Sequence, residues 1–166
     1  MEGKKNKSRA LLVFGAPCSG KSTFAKKFAE KFGLAYYNFE DLQKKYEFSD
    51  DQIYTILELI LKTHQTIIFE GLLGTESDRK VIKRLLAKEN YEPALIWLQT
   101  DASTIRARMK IKYKSVTKAK NLYEKAVSEM EAPSEAENPI ILSGKHTFET
   151  QTKHVLSGLA DAHIRR

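Results

Sequence analysis

Eight residues near the amino terminus constrain this chain more than any others: Gly15-Ala16-Pro17-Cys18-Ser19-Gly20-Lys21-Ser22. An apolar run, Ala10 to Phe14, precedes them, and a helix-like pattern, Thr23 to Phe32, follows. This is G-x-x-x-x-G-K-S between a strand and a helix, the setting a phosphate-cradling loop requires. Gly15 and Gly20 permit backbone angles and close approaches that a Cβ would block. The loop from Gly15 through Ala16, Pro17, Cys18 and Ser19 can then turn its N–H groups towards a polyphosphate. The free N–H groups at the helix start complete the nest. Lys21 is placed to reach β- and γ-phosphates, and the Ser22 hydroxyl to hold Mg²⁺. Thr23 follows in the same phosphate-binding stretch as a helical residue. Cys18 occupies a variable position, has no base beside it in sequence, and reads as filler rather than a nucleophile.

The rest of the chain continues the alternation that this loop begins. The first strand runs about Arg9 to Phe14 and the first helix about Lys21 to Phe32, with Phe24, Phe28 and Phe32 on one face and Gly33 as its end. The second strand, Leu34 to Asn38, leads into Phe39-Glu40-Asp41-Leu42. Acids there stand at the carboxyl edge of the sheet, where ligands bind in open α/β folds. The same two acids could equally open a helix, whose dipole favours them. Ser49 or Asp50 caps the second helix, buried through Ile53, Ile56, Leu57, Ile60 and Leu61. The third strand, Gln65 to Phe69, is apolar and β-branched, as a strand covered on both faces should be, and ends in Glu70-Gly71. A third helix runs about Ser77 to Glu89, and a fourth strand runs Ala94 to Gln99. One long helical stretch follows from Thr100-Asp101 to about Met130. After a polar loop come a strand, Ile140 to Ser143, and a last helix, about Phe148 to Ile164. Strands and helices alternate five times, which predicts a three-layer α/β domain with a five-stranded parallel sheet.

Charge is placed unevenly. The chain has 28 Lys and Arg against 21 Asp and Glu. Seven of the basic residues, Arg106, Arg108, Lys110, Lys112, Lys114, Lys118 and Lys120, fall between Ala102 and Tyr123 with no acid among them, so the two signs balance elsewhere. A local basic block points to a polyanion, either nucleotide phosphates or a nucleic-acid backbone, or it forms a solvated lysine-rich face. A single cysteine excludes an internal disulfide and suits a reducing cytosol. No apolar stretch of signal-peptide length follows the basic start, and Leu11 to Ala16 is too short to span a bilayer. These observations predict a cytoplasmic protein that does not enter a membrane.

Residues 15–23, Gly-Ala-Pro-Cys-Ser-Gly-Lys-Ser-Thr, resemble the phosphate loop of small P-loop kinases: nucleoside monophosphate kinases, shikimate- and gluconate-type kinases, and the polynucleotide-kinase-like group. Those usually carry Gly where Cys18 stands. The resemblance implies a P-loop NTPase fold with strand order 2-3-1-4-5. It implies one ATP-binding domain over residues 1–166, with about 102–132 a helical lid; residues 1–8, polar and lysine-rich, read as a flexible arm. It further implies ATP and Mg²⁺ as cofactors and transfer of the γ-phosphate to a small-molecule acceptor.

The resemblance also assigns residues. Lys21 stabilises the phosphates, and Ser22 with Glu70 serves the metal. Glu40 contacts or deprotonates the acceptor, with Asp41 as its close rival; Glu70 could instead contact the acceptor. Arg79 is the nearest candidate for the arginine that binds an acceptor phosphate after an Asp-Gly stretch, though its spacing is longer than that family's. Arg108 fits the first lid arginine and Lys112 the second. Lys145 lies in the loop that lines the adenine.

Two other readings stand beside this one. The basic block suits a polynucleotide 5′-end kinase or another nucleic-acid-linked ATPase. A nucleotide-dependent switch is the second, but the guanine motif Asn-Lys-x-Asp is missing, since the Asn6-Lys7 pair precedes the loop and lacks the Asp. The acceptor and the oligomeric state are not legible, because acceptor pockets are built from loops that vary freely.

Overall fold

The computed structural model describes residues 7–164. Residues 1–6 of the expected arm lie outside the described residues. Ser8, which the sequence placed in that arm, instead opens β1 (Ser8–Phe14). The order continues α1 (Lys21–Phe32), β2 (Ala35–Asn38), α2 (Phe39–Tyr46), α3 (Asp50–Leu61), β3 (Ile67–Glu70), α4 (Glu76–Lys88) and β4 (Tyr91–Gln99). It ends with α5 (Ala102–Tyr113), α6 (Val116–Ser128), β5 (Ile140–Ser143) and α7 (Phe148–Ile164). The five strands form one sheet in the order β2-β3-β1-β4-β5, all pairs parallel. Among the described residues no helix is long and apolar enough to cross a membrane.

The apolar runs are explained by cover on both faces. Leu12, Phe14, Ile67, Phe69 and Leu95 pack against Ile53 and Leu57 of α3 and Ile82 and Leu86 of α4. The alternate residues Leu11, Val13, Ile68, Ile96 and Leu98 pack against Phe24 and Phe28 of α1 and Val155 of α7. Strand register then brings the functional ends together: Val13 lies opposite Glu70, and Glu70 opposite Asn38.

Three elements differ from the sequence expectation. Glu40 and Asp41 do open a helix: α2 is capped by Asn38, whose side chain accepts from Asp41 N. The long helical stretch is two helices. Lys114 takes a left-handed conformation (φ 53°), and Ser115 caps α6 by accepting from Lys118 N. The apolar residues that are spaced like one helix face each other across this hairpin, with Ile105, Met109 and Ala119 buried together against Ala16. Finally, β4 starts at Tyr91 and runs through Pro93. It pairs with β1 from Tyr91 onward but with β5 only from Ile96. With a strand neighbour on one side there, a residue lacking an N–H can stand inside the strand.

Candidate active site

The loop between β1 and α1 is built by close contacts. A Cβ at Gly15 would meet the Leu98 carbonyl oxygen at 2.6 Å. Gly20, the residue before α1, has φ 106°, where side chains are strained, and no side chain hydrogen-bonds the helix start. The first N–H groups of α1 are therefore left facing out of the helix, the arrangement that binds anions. Cys18 also takes a left-handed backbone (φ 60°), the conformation glycine favours. Its side chain packs beside the Ile105–Met109 cluster.

The loop is braced from behind. Thr100 Oγ1 donates to the Ser19 carbonyl at 2.9 Å. Arg108 Nη1 donates to the carbonyls of Cys18 (3.1 Å) and Ser19 (3.3 Å), and Nη2 to that of Gly144 (3.2 Å). Arg108 thus ties α5 to the phosphate loop and to the loop after β5. Its guanidinium is engaged by backbone carbonyls and also lines the cavity beside Lys21.

On the other side of Ser22 stands Glu70, 1% exposed at the end of β3. Ser22 Oγ donates to Glu70 Oε2 at 2.9 Å, and Lys21 Nζ lies 3.9 Å from the same oxygen. Glu70 Oε1 accepts from the Tyr36 hydroxyl and from Asn38 Nδ2 at 3.2 Å. Burial pushes the Tyr36 phenol well above its ordinary value, and its hydrogen bond to Glu70 pushes in the same direction. The hydroxyl therefore stays a donor at any physiological pH.

Beyond the loop lies a cavity of about 470 Å³, within the range of nucleotide-sized sites. Lys21, Lys27, Arg108, Lys112 and His146 line it, with Ser22, Thr23 and Phe148, and no acid does. The cavity suits an anion.

Other expected residues fall elsewhere. Arg79 is fully buried. It makes a bidentate pair with Glu137 (2.8 and 2.9 Å), and its Nη1 donates to the carbonyls of Leu73 and Glu131. Its guanidinium also lies 5.2 Å from the Phe14 ring centroid. It is a structural tie, not an acceptor-phosphate ligand. Lys145 pairs with Asp101 at 2.5 Å and, like Ala16, lines a second cavity of about 610 Å³ on the α6 side. Its loop neighbours Gly144 and His146 line the first cavity. Pro17 is half-buried and has no N–H to offer a phosphate, whereas Ser19 is fully buried and offers its backbone N–H. Asp41 accepts from Asn38 Nδ2 at 2.9 Å within the α2 cap. Glu40 is exposed beside Gly71, where a Cβ would come within 2.9 Å of the Glu40 backbone nitrogen.

Tyr36, Asn38, Thr100 and Gly144 were not anticipated. For Tyr36 and Asn38 a signal existed: residues two apart on a strand share a face. For Thr100 and Gly144 none did, since their contacts span distant loops.

No protein-family model matches the sequence, and no curated protein matches it. Solved structures do match its fold. A gluconokinase from Sinorhizobium meliloti is 18% identical, covers 95% of each chain and has a TM-score of 0.69. An APS kinase from Mycobacterium tuberculosis, solved in complex with AMPPNP and APS, is 14% identical over 93% of this chain and 98% of that one, with a TM-score of 0.66. A shikimate kinase from Aquifex aeolicus is 18% identical over 93% of this chain and 98% of that one, with a TM-score of 0.55. At these identities the likeness is one of fold, and the fold is that of the small P-loop kinases.

Proposed function

We propose that this chain is an ATP-dependent kinase that transfers the γ-phosphate to a hydroxyl or phosphate of a small molecule, with Mg²⁺. The observation that carries the reading is the hydrogen bond from Ser22 to buried Glu70, beside Lys21, at the open start of α1. A hydroxyl, a carboxylate and an ammonium group meet there at the mouth of an anion-binding loop. Among the described residues no three His, Cys, Asp or Glu side chains cluster to cage a metal. That fits Mg²⁺, which is held by one or two protein groups together with substrate phosphates and water. Ser22 and Glu70 are the groups that would hold it, and the ion would neutralise charge on the phosphate oxygens.

The chain's own residues take the remaining roles. Lys21 stabilises the transferring group electrostatically. Lys112 and Lys27 line the cavity where further negative charge rests. Arg108 keeps the phosphate loop in place through the Cys18 and Ser19 carbonyls and so acts by positioning. Glu40, exposed and without a hydrogen-bond partner among the described residues, is free to take a proton from an acceptor hydroxyl. The kinase names of the structural neighbours support the reaction class.

The test is ATP consumption against a panel of small hydroxyl and phosphate acceptors. Lys21→Ala should lower turnover by about 10²-fold or more while leaving the fold intact. Near-native turnover in a folded Lys21→Ala protein would sink the reading.

A further inference from the structure

Glu70 is a buried carboxylate with both oxygens occupied, and its partners divide by origin. Tyr36 and Asn38 of β2 donate to Oε1; Ser22 and Lys21 of α1 face Oε2. The two β2 residues stand on one face of a four-residue strand that pairs directly with β3, Tyr36 opposite Ile68 and Asn38 opposite Glu70. A glutamate has one more rotatable bond than an aspartate. Left unbraced at a metal site, its carboxyl would sample orientations that turn either oxygen, or neither, towards Ser22. With Oε1 held by two donors, Oε2 is what it can present.

We propose that Tyr36 and Asn38 are positioning residues that hold Glu70 with Oε2 turned to Ser22, and that they thereby set the affinity for a divalent cation bound together with a nucleotide. The inference rests on the kinase reading. Tyr36 is the cleaner of the two donors. Asn38 also caps α2 by accepting from Asp41 N at 3.0 Å. Tyr36 caps no helix: its hydroxyl donates to Glu70, and Lys26 Nζ lies 5.8 Å from its ring centroid. Groups that hydrogen-bond a metal-binding side chain typically change metal affinity 10- to 100-fold when removed.

The experiment uses the full chain and a fluorescent ATP analogue, titrated with Mg²⁺ and, in parallel, with the metal removed by EDTA. In Tyr36→Phe the Mg²⁺ concentration for half-maximal strengthening of nucleotide binding should rise about 10-fold. Metal-free affinity should stay within about twofold, because the loop backbone and Lys21 are untouched. Asn38→Ser keeps a capping oxygen for α2 but is too short to reach Glu70. It should move the Mg²⁺ titration in the same direction, and it serves should Tyr36→Phe fail to fold. A lowered melting temperature with an unmoved Mg²⁺ titration in the folded variants would assign these side chains to packing alone and overturn the proposal. Wild-type protein that binds no nucleotide, or binds it without regard to Mg²⁺, would overturn the kinase reading itself. Those two failures are read from different proteins and cannot be confused.

Discussion

Gly144→Ala tests whether the loop after β5 and the phosphate loop form one rigid floor. A Cβ at Gly144 would stand 1.9 Å from Thr100 Oγ1 and 2.3 Å from the Ser19 carbonyl oxygen. Close carbon–oxygen approaches rest at about 3.3 Å, so something must retreat by about an ångström or more. The Thr100 hydroxyl can rotate away, but only by giving up its 2.9 Å bond to the Ser19 carbonyl, a loss of about 1 kcal/mol. The Ser19 carbonyl has no such freedom. It belongs to the phosphate loop, and Arg108 holds it together with its neighbour at Cys18. Overpacking of this kind costs about 1–3 kcal/mol. In a chain of this size that lowers the melting temperature by about 3–10 °C. Because the displaced atoms carry the loop, a shift of about 1 Å should also lower turnover by about 10²-fold. Differential scanning fluorimetry and a coupled ATP assay read the two effects. Gly33→Ala is the control, since no atom lies within 4 Å of a Cβ there. It should feel only the strain of its φ of 64°, about 1–2 kcal/mol, with nucleotide affinity unchanged. Wild-type melting and turnover in Gly144→Ala would show that the two loops are not coupled.

Three further outcomes are expected. Glu40→Gln should lower kcat by about 10²-fold or more with ATP affinity kept, whereas Asp41→Asn should act mainly on the α2 cap; the reverse ranking would make Asp41 the acceptor-side acid. Cys18→Gly should relieve about 1–2 kcal/mol of left-handed strain against about 0.5–1 kcal/mol of added chain entropy, leaving stability and nucleotide affinity near wild type, and a tenfold loss of affinity would show instead that the thiol contacts the ligand. Arg79 beside Glu137 holds its carboxyl down at about 2 from an ordinary 4.5, so the pair stabilises the fold above about pH 4.5 and ceases to as pH falls through about 2. The shift corresponds to about 3 kcal/mol. Urea melts of Glu137→Gln should therefore show a stability gap from wild type at pH 7 that closes between pH 4.5 and pH 2, and a gap independent of pH would refute the assignment.

What the sequence shows of this molecule is what local chemistry encodes. The end of α1 follows from a glycine stop, and β5 and α7 have the bounds expected from the sequence. Strand order followed from the resemblance of residues 15–23 rather than from any spacing. The turn at Lys114 was hidden because Tyr113, Val116 and Ala119 keep a helical interval across it, although Ser115 was a capping residue in plain view. At the site, Lys21, Ser22 and Glu70 are legible because each stands at the end of a strand or the start of a helix. Arg79 misled because its partner, Glu137, lies 58 positions away, and nothing local distinguishes a ligand-binding arginine from one locked in the interior. The same distance in sequence conceals Thr100 and Gly144, whose importance is entirely a matter of which backbone atoms they approach.

β4 outreaches β5 by five residues, so from Tyr91 to Leu95 its outer side has no strand partner among the described residues. Bare strand margins are where a second chain can add itself and start an aggregate. Pro93 withholds a hydrogen-bond donor on that stretch, and Glu92 beside it is tied to Arg9 of β1 at 3.6 Å. The residue that looks like a defect in the strand thus makes it a poor template for cross-β growth. A chain that must keep one half of a long strand unpartnered protects it at a position where no ladder bond is lost.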